Sequence, residues 1–337
     1  MKLLRRLAVP LTVLAFSAAL AGCVSSVLDA DRGIKPIPAK LVSQMTARQM
    51  KPSDPIVVRV FKEESELEIW KRDRSGRYAL LKTYPMCRWS GQLGPKKRSG
   101  DRQAPEGFYQ VSANMLNPLS QYYLSFNLGF PNRLESALGY TGEALMVHGA
   151  CSSSGCYAMT DDGVAEIYAI AREALRGGQT SFQVQAFPFR MTAQNMVRHR
   201  NDPNMAFWKN LKEGYDIFDV ARRQPKVSAC ARRYVFDAQF EGGEPSDPLA
   251  ACPPMTIASD PALIAKREAD ERAIEAASTG GTAMSMHAYA DGGMHPSFRA
   301  MLQQSGAKEL AKKTSRTRVP VSRPDAVLPA DQGAPGN

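Results

Sequence analysis

The sequence predicts an α+β domain in which short strands come first and helices enter later. Three observations carry this. Between residues 56 and 128 the chain holds β-prone runs of four to seven residues, among them Ile56-Val57-Val58-Arg59-Val60-Phe61 and Phe108-Tyr109-Gln110-Val111. Beyond residue 160 the apolar period changes to that of a helix: Val164, Ile167, Tyr168, Ala171 and Leu175 fall on one helical face. Both ends of the chain lack such periodicity, so the folded domain is expected at 55–240.

Leu67-Glu68-Ile69-Trp70 and Tyr78-Ala79-Leu80-Leu81 are further strand candidates, with Ser75-Gly76 between them as a hairpin turn. A basic, glycine-rich loop is expected over 90–107, and strands again at 122–128 and 144–147. Thr160-Asp161-Asp162 reads as an N-cap with an acidic first turn, and Gly177-Gly178 as the stop. Phe182-Gln183-Val184-Gln185-Ala186-Phe187 alternates as a strand. A second helix is expected over 203–212, with Pro203 at its first position and Gly214 past its end. Residues 241–337 read as a largely disordered basic tail with one helix expected from Asp260 to Ala277, and 23–54, punctuated by prolines, as a tether.

The 337 residues carry a formal charge of +10, and removing Lys2, Arg5 and Arg6 with residues 1–22 lowers it to +7. Such a surface suits an anionic polymer or membrane; the absence of zinc-finger spacing or a basic recognition helix argues against nucleic acid. Residues 1–22 combine a basic start with a short apolar stretch ending in Leu20-Ala21-Gly22-Cys23, which resembles a bacterial lipobox. The expectation is a signal peptide, acylation at Cys23 and a periplasmic protein held by its lipid in a membrane. Val24 in place of aspartate favours the outer membrane. Of six cysteines, spending Cys23 on lipid leaves five, an odd number that points to one thiol kept for chemistry. Cys230 and Cys252 are candidates to pair. Cys151 reads as a buried apolar side chain, with a disulfide to Cys156 or a resolving role as alternatives.

The segment Val147-His148-Gly149-Ala150-Cys151-Ser152-Ser153-Ser154-Gly155-Cys156 concentrates the chemistry. A thiol becomes a nucleophile when an imidazole or a helix N-terminus favours its thiolate, and both are offered beside Cys156. Gly149 and Gly155 allow close backbone approach, and amides near Cys156 are candidates to face an oxyanion. A metal site lacks a fourth ligand, so neither metal nor cofactor is expected.

His-Gly followed by Ser-x-Gly-Cys resembles the L,D-transpeptidase (YkuD-type) catalytic-domain family, closest to its YafK-like branch. Gly91-Gln92-Leu93-Gly94-Pro95-Lys96-Lys97 and Ala104-Pro105-Glu106-Gly107-Phe108-Tyr109 extend the resemblance. It implies a mostly β catalytic domain of sandwich type with flanking helices. The implied substrate is a peptidoglycan stem peptide. Cys156 would be the nucleophile, His148 the base oriented by the Gly149 carbonyl, and the Gly155 and Cys156 amides the oxyanion donors. The acyl-enzyme would pass to an amine, giving a crosslink or attachment of an outer-membrane protein, or to water, giving trimming or release of such a protein. A silent wall-binding lipoprotein is the reading from another class. Ala158 stands where the family carries an arginine two residues after its cysteine, and Ser154 where it carries histidine. Lys96, Lys97, Arg102 and Arg133 are therefore the candidates to hold the substrate carboxylate.

Overall fold

The computed structural model describes residues 31–278, 292–317 and 319–320. A first mixed sheet forms from β1 (Ile56–Phe61), β2 (Glu66–Arg72), β3 (Tyr78–Pro85), β5 (Gly107–Ser112) and β10 (Ser181–Phe187), in the order β3-β2-β1-β10-β5. Strand β1 lies at its centre, antiparallel to β2 and parallel to β10, and its six residues are all buried. That is why it reads as a continuous β-branched run rather than an alternating one. Its single charge, Arg59, is packed among the rings of Phe61, Phe187, Tyr215 and Phe218.

A second mixed sheet carries the cysteine-rich segment. It consists of β4 (Arg88–Trp89), β6 (Leu116–Asn117), β7 (Ser125–Asn127), β8 (Met146–His148) and β9 (Tyr157–Ala158), in the order β4-β9-β8-β7-β6. The helix α1 (Ala39–Ala47) and the short α2 (Arg133–Ala137) precede α3 (Asp161–Arg176) and α4 (Ala193–Arg198). After them come α5 (Met205–Ala221), α6 (Pro261–Ser278) and α7 (Pro296–Thr314), the last broken at Gly306. Among the described residues helices outnumber strands by residue count, 35% against 22%, but the two sheets organise the core. The α+β class expected from the sequence is the one observed. Two hairpins, β11 (Val227–Cys230) with β12 (Arg233–Phe236) and β13 (Ala238–Phe240) with β14 (Met255–Ile257), follow α5.

Local signals set α3 as expected: the Thr160 hydroxyl accepts from the Gly163 amide at 3.0 Å, and Gly177 caps the end. Helix α5 departs from expectation. Gly214 does not end it but lies buried within it, because a Cβ there would come within 2.6 Å of Phe236 and Phe108. The helix runs on to Ala221 and stops at Arg222 in the left-handed conformation.

Both expected boundaries move. The tether packs from Asp31 onward: Leu41, Met45 and Met50 are buried in the main core, and Arg172 donates to the Gly33 and Lys35 carbonyls. The segment beyond 240 also joins the fold. Strand β14 pairs with β13, the helix expected from Asp260 forms as α6 against α4 and α5, and Lys212 bridges Asp216 and Asp270. Gly293 then pairs with Trp89 at the edge of the second sheet through two 3.0 Å bonds. Met294, Phe298 and Leu310 pack on the disulfide Cys87–Cys151. Periodicity missed this because few apolar side chains make the attachment. Residues 1–22, Cys23 and the basic Arg318 and Arg323 lie outside the described residues.

Candidate active site

Strands β8 and β9 are parallel neighbours, with Val147 opposite Tyr157 and His148 opposite Ala158. Cys156 stands one residue ahead of β9, two positions before Ala158, so strand alternation puts it on the sheet face that His148 occupies. The seven residues between them, 149–155, are thus enough: because both strands are so short, a tight loop can return from the end of β8 to the start of its parallel neighbour β9.

That loop is held at several points. The His148 ring is 2% exposed and packs against Tyr122 with centroids 4.5 Å apart. Its Nδ1 lies 2.6 Å from the Gly149 carbonyl, which fixes the proton on Nδ1 and leaves Nε2 as the basic nitrogen. Gly149 admits no side chain, since a Cβ would lie 2.4 Å from Asp161 Oδ1 and 2.8 Å from the Tyr122 carbonyl. Ala150 and Cys151 follow with φ of 68° and 45°, a left-handed pair without glycine. Cys151 is tied to Cys87, so the expectations of an apolar thiol, a resolving thiol or a bond to Cys156 all give way to this pairing. Cys230 pairs with Cys252, and Cys156 is the free cysteine among the described residues. Spacing could not have found Cys87 as the partner, 64 residues away.

The electrostatics differ from the expected thiolate. Burial lowers His148 to about 4, against the opposing pull of the Gly149 carbonyl. Burial also pushes the Cys156 thiol up, opposed by the Met146 backbone and the Lys96 ammonium. Both shifts favour the uncharged forms, imidazole and thiol. The Cys156 thiol contacts the Ala144 carbonyl at 3.7 Å. Helix α3 does not supply its N-terminus to the thiol, because β9 intervenes and Asp161 and Asp162 occupy the first turn.

Ser153, which the sequence did not single out, organises the turn that leads to Cys156. Its hydroxyl donates to the Cys156 carbonyl at 2.7 Å and accepts from the Gly155 amide at 3.3 Å, so this candidate oxyanion donor is engaged at rest. Gly155 has φ of 130°, and a Cβ there would meet Leu145 at 3.2 Å.

The four basic candidates separate. Lys96 is buried, donates to Asp101 and the Arg98 carbonyl, and acts on Cys156 through space. Arg102 is exposed, with its backbone beside Gly155. Lys97 is exposed and lines a cleft of about 520 Å³ with Tyr140, Lys209 and Arg232. Arg133 lines a different cavity and donates to the Pro245 carbonyl, so the structure does not bring it to Cys156. The loop bearing the first three is anchored by a buried pair missed in the sequence. Lys62 Nζ bonds Glu106 at 2.9 Å and the Gly94 and Ala104 carbonyls at 3.0 Å, while Glu106 accepts from the Gly94 amide and the Trp208 indole.

Comparison with known proteins agrees with this geometry. Residues 55–292 match the family described as YkuD: L,D-transpeptidase catalytic domain. Proteins named "Putative L,D-transpeptidase YafK" from Escherichia coli strain K12 and from Escherichia coli O157:H7 are each 47% identical over 188 residues. That stretch covers 56% of this chain and 76% of theirs. Among solved structures, the helical cell shape determining protein Pgp2 of Campylobacter jejuni, as its K307A mutant, is similar at 18% identity and a TM-score of 0.34. The likeness covers 54% of this chain and 64% of that one. Bd1075 of Bdellovibrio bacteriovorus is similar at 15% identity and a TM-score of 0.29, over 50% of this chain and 61% of that one. With a family match over most of its length, a histidine at the end of β8 and a cysteine just ahead of the adjacent β9, this chain belongs to the YkuD-type L,D-transpeptidase catalytic-domain family.

Proposed function

We propose that the protein is a cysteine acyltransferase on peptidoglycan stem peptides, working through a thioester at Cys156. The observation that carries this is the placement of Cys156, the free thiol among the described residues, beside the strand of an imidazole whose Nδ1 is fixed at 2.6 Å by the Gly149 carbonyl. His148 Nε2 takes the thiol proton as sulfur attacks the carbonyl of the third-position diamino acid. Collapse of the tetrahedral intermediate expels the terminal D-alanine amine, which takes that proton from His148. An incoming amine then loses its proton to His148 and attacks the thioester, and the sulfur leaves as a thiol. Starting from a neutral pair suits this cycle, since both transfers begin and end without a buried charge. The acceptor amine belongs to a second stem peptide or to an outer-membrane protein, and water in its place gives hydrolysis.

The same reading places the mature protein in the periplasm, acylated at Cys23 and held to the outer membrane. A Cys23→Ser chain that still takes up lipid label contradicts the anchor. The experiment for the chemistry is mass spectrometry of muropeptides incubated with the purified full chain. Loss of D-alanine with new crosslinks is the expected result, and trimmed tripeptides alone assign hydrolysis. Cys156→Ala should abolish either, and activity that survives this substitution overturns the proposal.

A further inference from the structure

The Gly149–Ala150 peptide unit is bonded at both ends. Its carbonyl accepts from His148 Nδ1 at 2.6 Å, and its amide, the Ala150 N–H, donates to Asp161 Oδ1 at 2.7 Å. One peptide plane therefore joins a buried carboxylate to the imidazole. Asp161 is 2% exposed and its second oxygen, Oδ2, accepts from the Arg316 amide, while the Arg316 guanidinium pairs with Asp162. Arg316 ends a segment that lies beyond the family match at residue 292. That segment is fastened by the Trp89–Gly293 bridge, the His295 amide on the Met86 carbonyl and α7 packing on Cys87–Cys151. The indole of Trp89 sits so close to Gly293 that a Cβ there would fall 2.0 Å from Nε1, so this seat is shaped for glycine.

We propose that Asp161 is the acid member of the catalytic unit, a positioning residue that acts on His148 through the Gly149–Ala150 peptide, and that residues 293–316 form the strap that holds it there. A carboxylate that bonds an imidazole directly fixes its tautomer and supports its positive charge during turnover. Here an amide plane relays both effects: a bond donated from its N–H end to the carboxylate strengthens its carbonyl as an acceptor at the other. The plane has reason to rotate without Asp161, because Ala150 and Cys151 are held in left-handed conformations that cost non-glycine residues about 1 kcal/mol or more each. Rotation would take the carbonyl away from Nδ1. A side chain at 149 is excluded by the same carboxylate, so the glycine, the peptide plane and Asp161 form one fitted unit.

The kinetic part of the test rests on the proposed acyltransferase reading; the spectroscopic part does not. The chain has four histidines, so nitrogen-15 labelling of histidine in the full protein gives four imidazoles, with His148 assigned by its loss in His148→Gln. The wild-type ring should show one protonated nitrogen, Nδ1, and Asp161→Ala should average the two nitrogens. In the same variant kcat should fall about 100-fold, the size expected for a misplaced catalytic group, with KM within about twofold. Asp161→Asn keeps an acceptor for Ala150 without the charge, so it should retain the Nδ1 tautomer and lose only about tenfold in kcat. Deletion of 292–337 should resemble Asp161→Ala. A single Nδ1 tautomer and unchanged kcat in Asp161→Ala overturn the assignment. If that variant does not fold, unchanged kcat in Asp161→Asn does so. If the wild type turns over no stem peptide, the acyltransferase reading fails, and the tautomer alone decides the role of Asp161.

Discussion

Lowering the pH should destabilise the protein through His148 while Glu135 opposes the effect, and the two can be separated by substitution. His148 is held at about 4 in the fold, below the usual imidazole value of 6.5. Between these values the unfolded chain binds a proton that the folded chain refuses, so stability falls as pH drops from about 6.5 to about 4. Each unit is worth about 1.4 kcal/mol, which gives about 3 kcal/mol across the window. Glu135 works the other way. Burial raises it to about 7 against the bonds from Tyr109 and the Asn132 amide, so the folded state holds a proton that the unfolded state has lost. Acidification from about 7 to about 4.5 therefore returns a similar amount, so these two contributions oppose each other in the wild type. Urea unfolding at about pH 7 and about pH 4.5 resolves the two. Relative to wild type, His148→Gln should gain about 3 kcal/mol on going to the lower pH, since glutamine has no proton to refuse. Glu135→Gln should show the opposite sign, its advantage over wild type growing as pH rises. A difference between wild type and His148→Gln that stays constant over this range refutes the view that burial keeps the imidazole neutral. It would also remove the physical basis for a neutral resting pair.

The disulfide under the catalytic loop should matter for stability: replacing both Cys87 and Cys151 by alanine should cost up to about 4 kcal/mol from loop closure over 64 residues, measured by urea midpoint. A loss under about 1 kcal/mol would show that the loop stands without its clamp. Lys62→Met leaves Glu106 buried without its partner and should cost about 3–5 kcal/mol, whereas the double change with Glu106→Gln should recover part of it. Lys97→Glu, on the exposed side of the 95–101 loop, should raise KM for stem peptides about fivefold, about 1 kcal/mol, with kcat nearly unchanged. An effect on kcat alone would place Lys97 at the reacting atoms instead. Truncation after residue 250 severs the 22-residue disulfide loop and should cost at least about 3 kcal/mol by that route. Unchanged stability would mean that β14, α6 and α7 add nothing to the domain.

What could be read from the sequence was whatever short-range physics encodes. The Thr160 cap, the period of α3, the β-branched run of β1 and the glycine-flanked cysteine motif each involve residues within a few positions of one another. Where a residue's reason lies far along the chain, local reading misassigned it. Gly214 looked like a helix stop because glycine disfavours helices, yet it is there to let Phe108 and Phe236 pack against α5. Asp161 looked like an ordinary acidic first-turn residue, and that is also what it is. Only the fold shows its two oxygens reaching Ala150 and Arg316, which stand 11 and 155 residues away.

Cysteine parity illustrates the same limit from another side. The odd count pointed to one thiol kept free, and parity is insensitive to which partners pair. It therefore gave no hint that the bond at Cys151 would reach back to Cys87 instead of forward to Cys156. The difference has a chemical consequence. A bond between Cys151 and Cys156 would have consumed the proposed nucleophile. The bond to Cys87 leaves that thiol free and pins the loop just past the end of β8 at His148. With Asp161 holding Ala150 and the disulfide holding Cys151, two consecutive residues in left-handed backbone are each fixed from outside the loop. Such a turn is costly on its own and persists when its surroundings over-determine it. The strain is thus confined to the two residues that set the path from His148 to Cys156, and the rigid supports come from the parts of the chain whose roles were hardest to read.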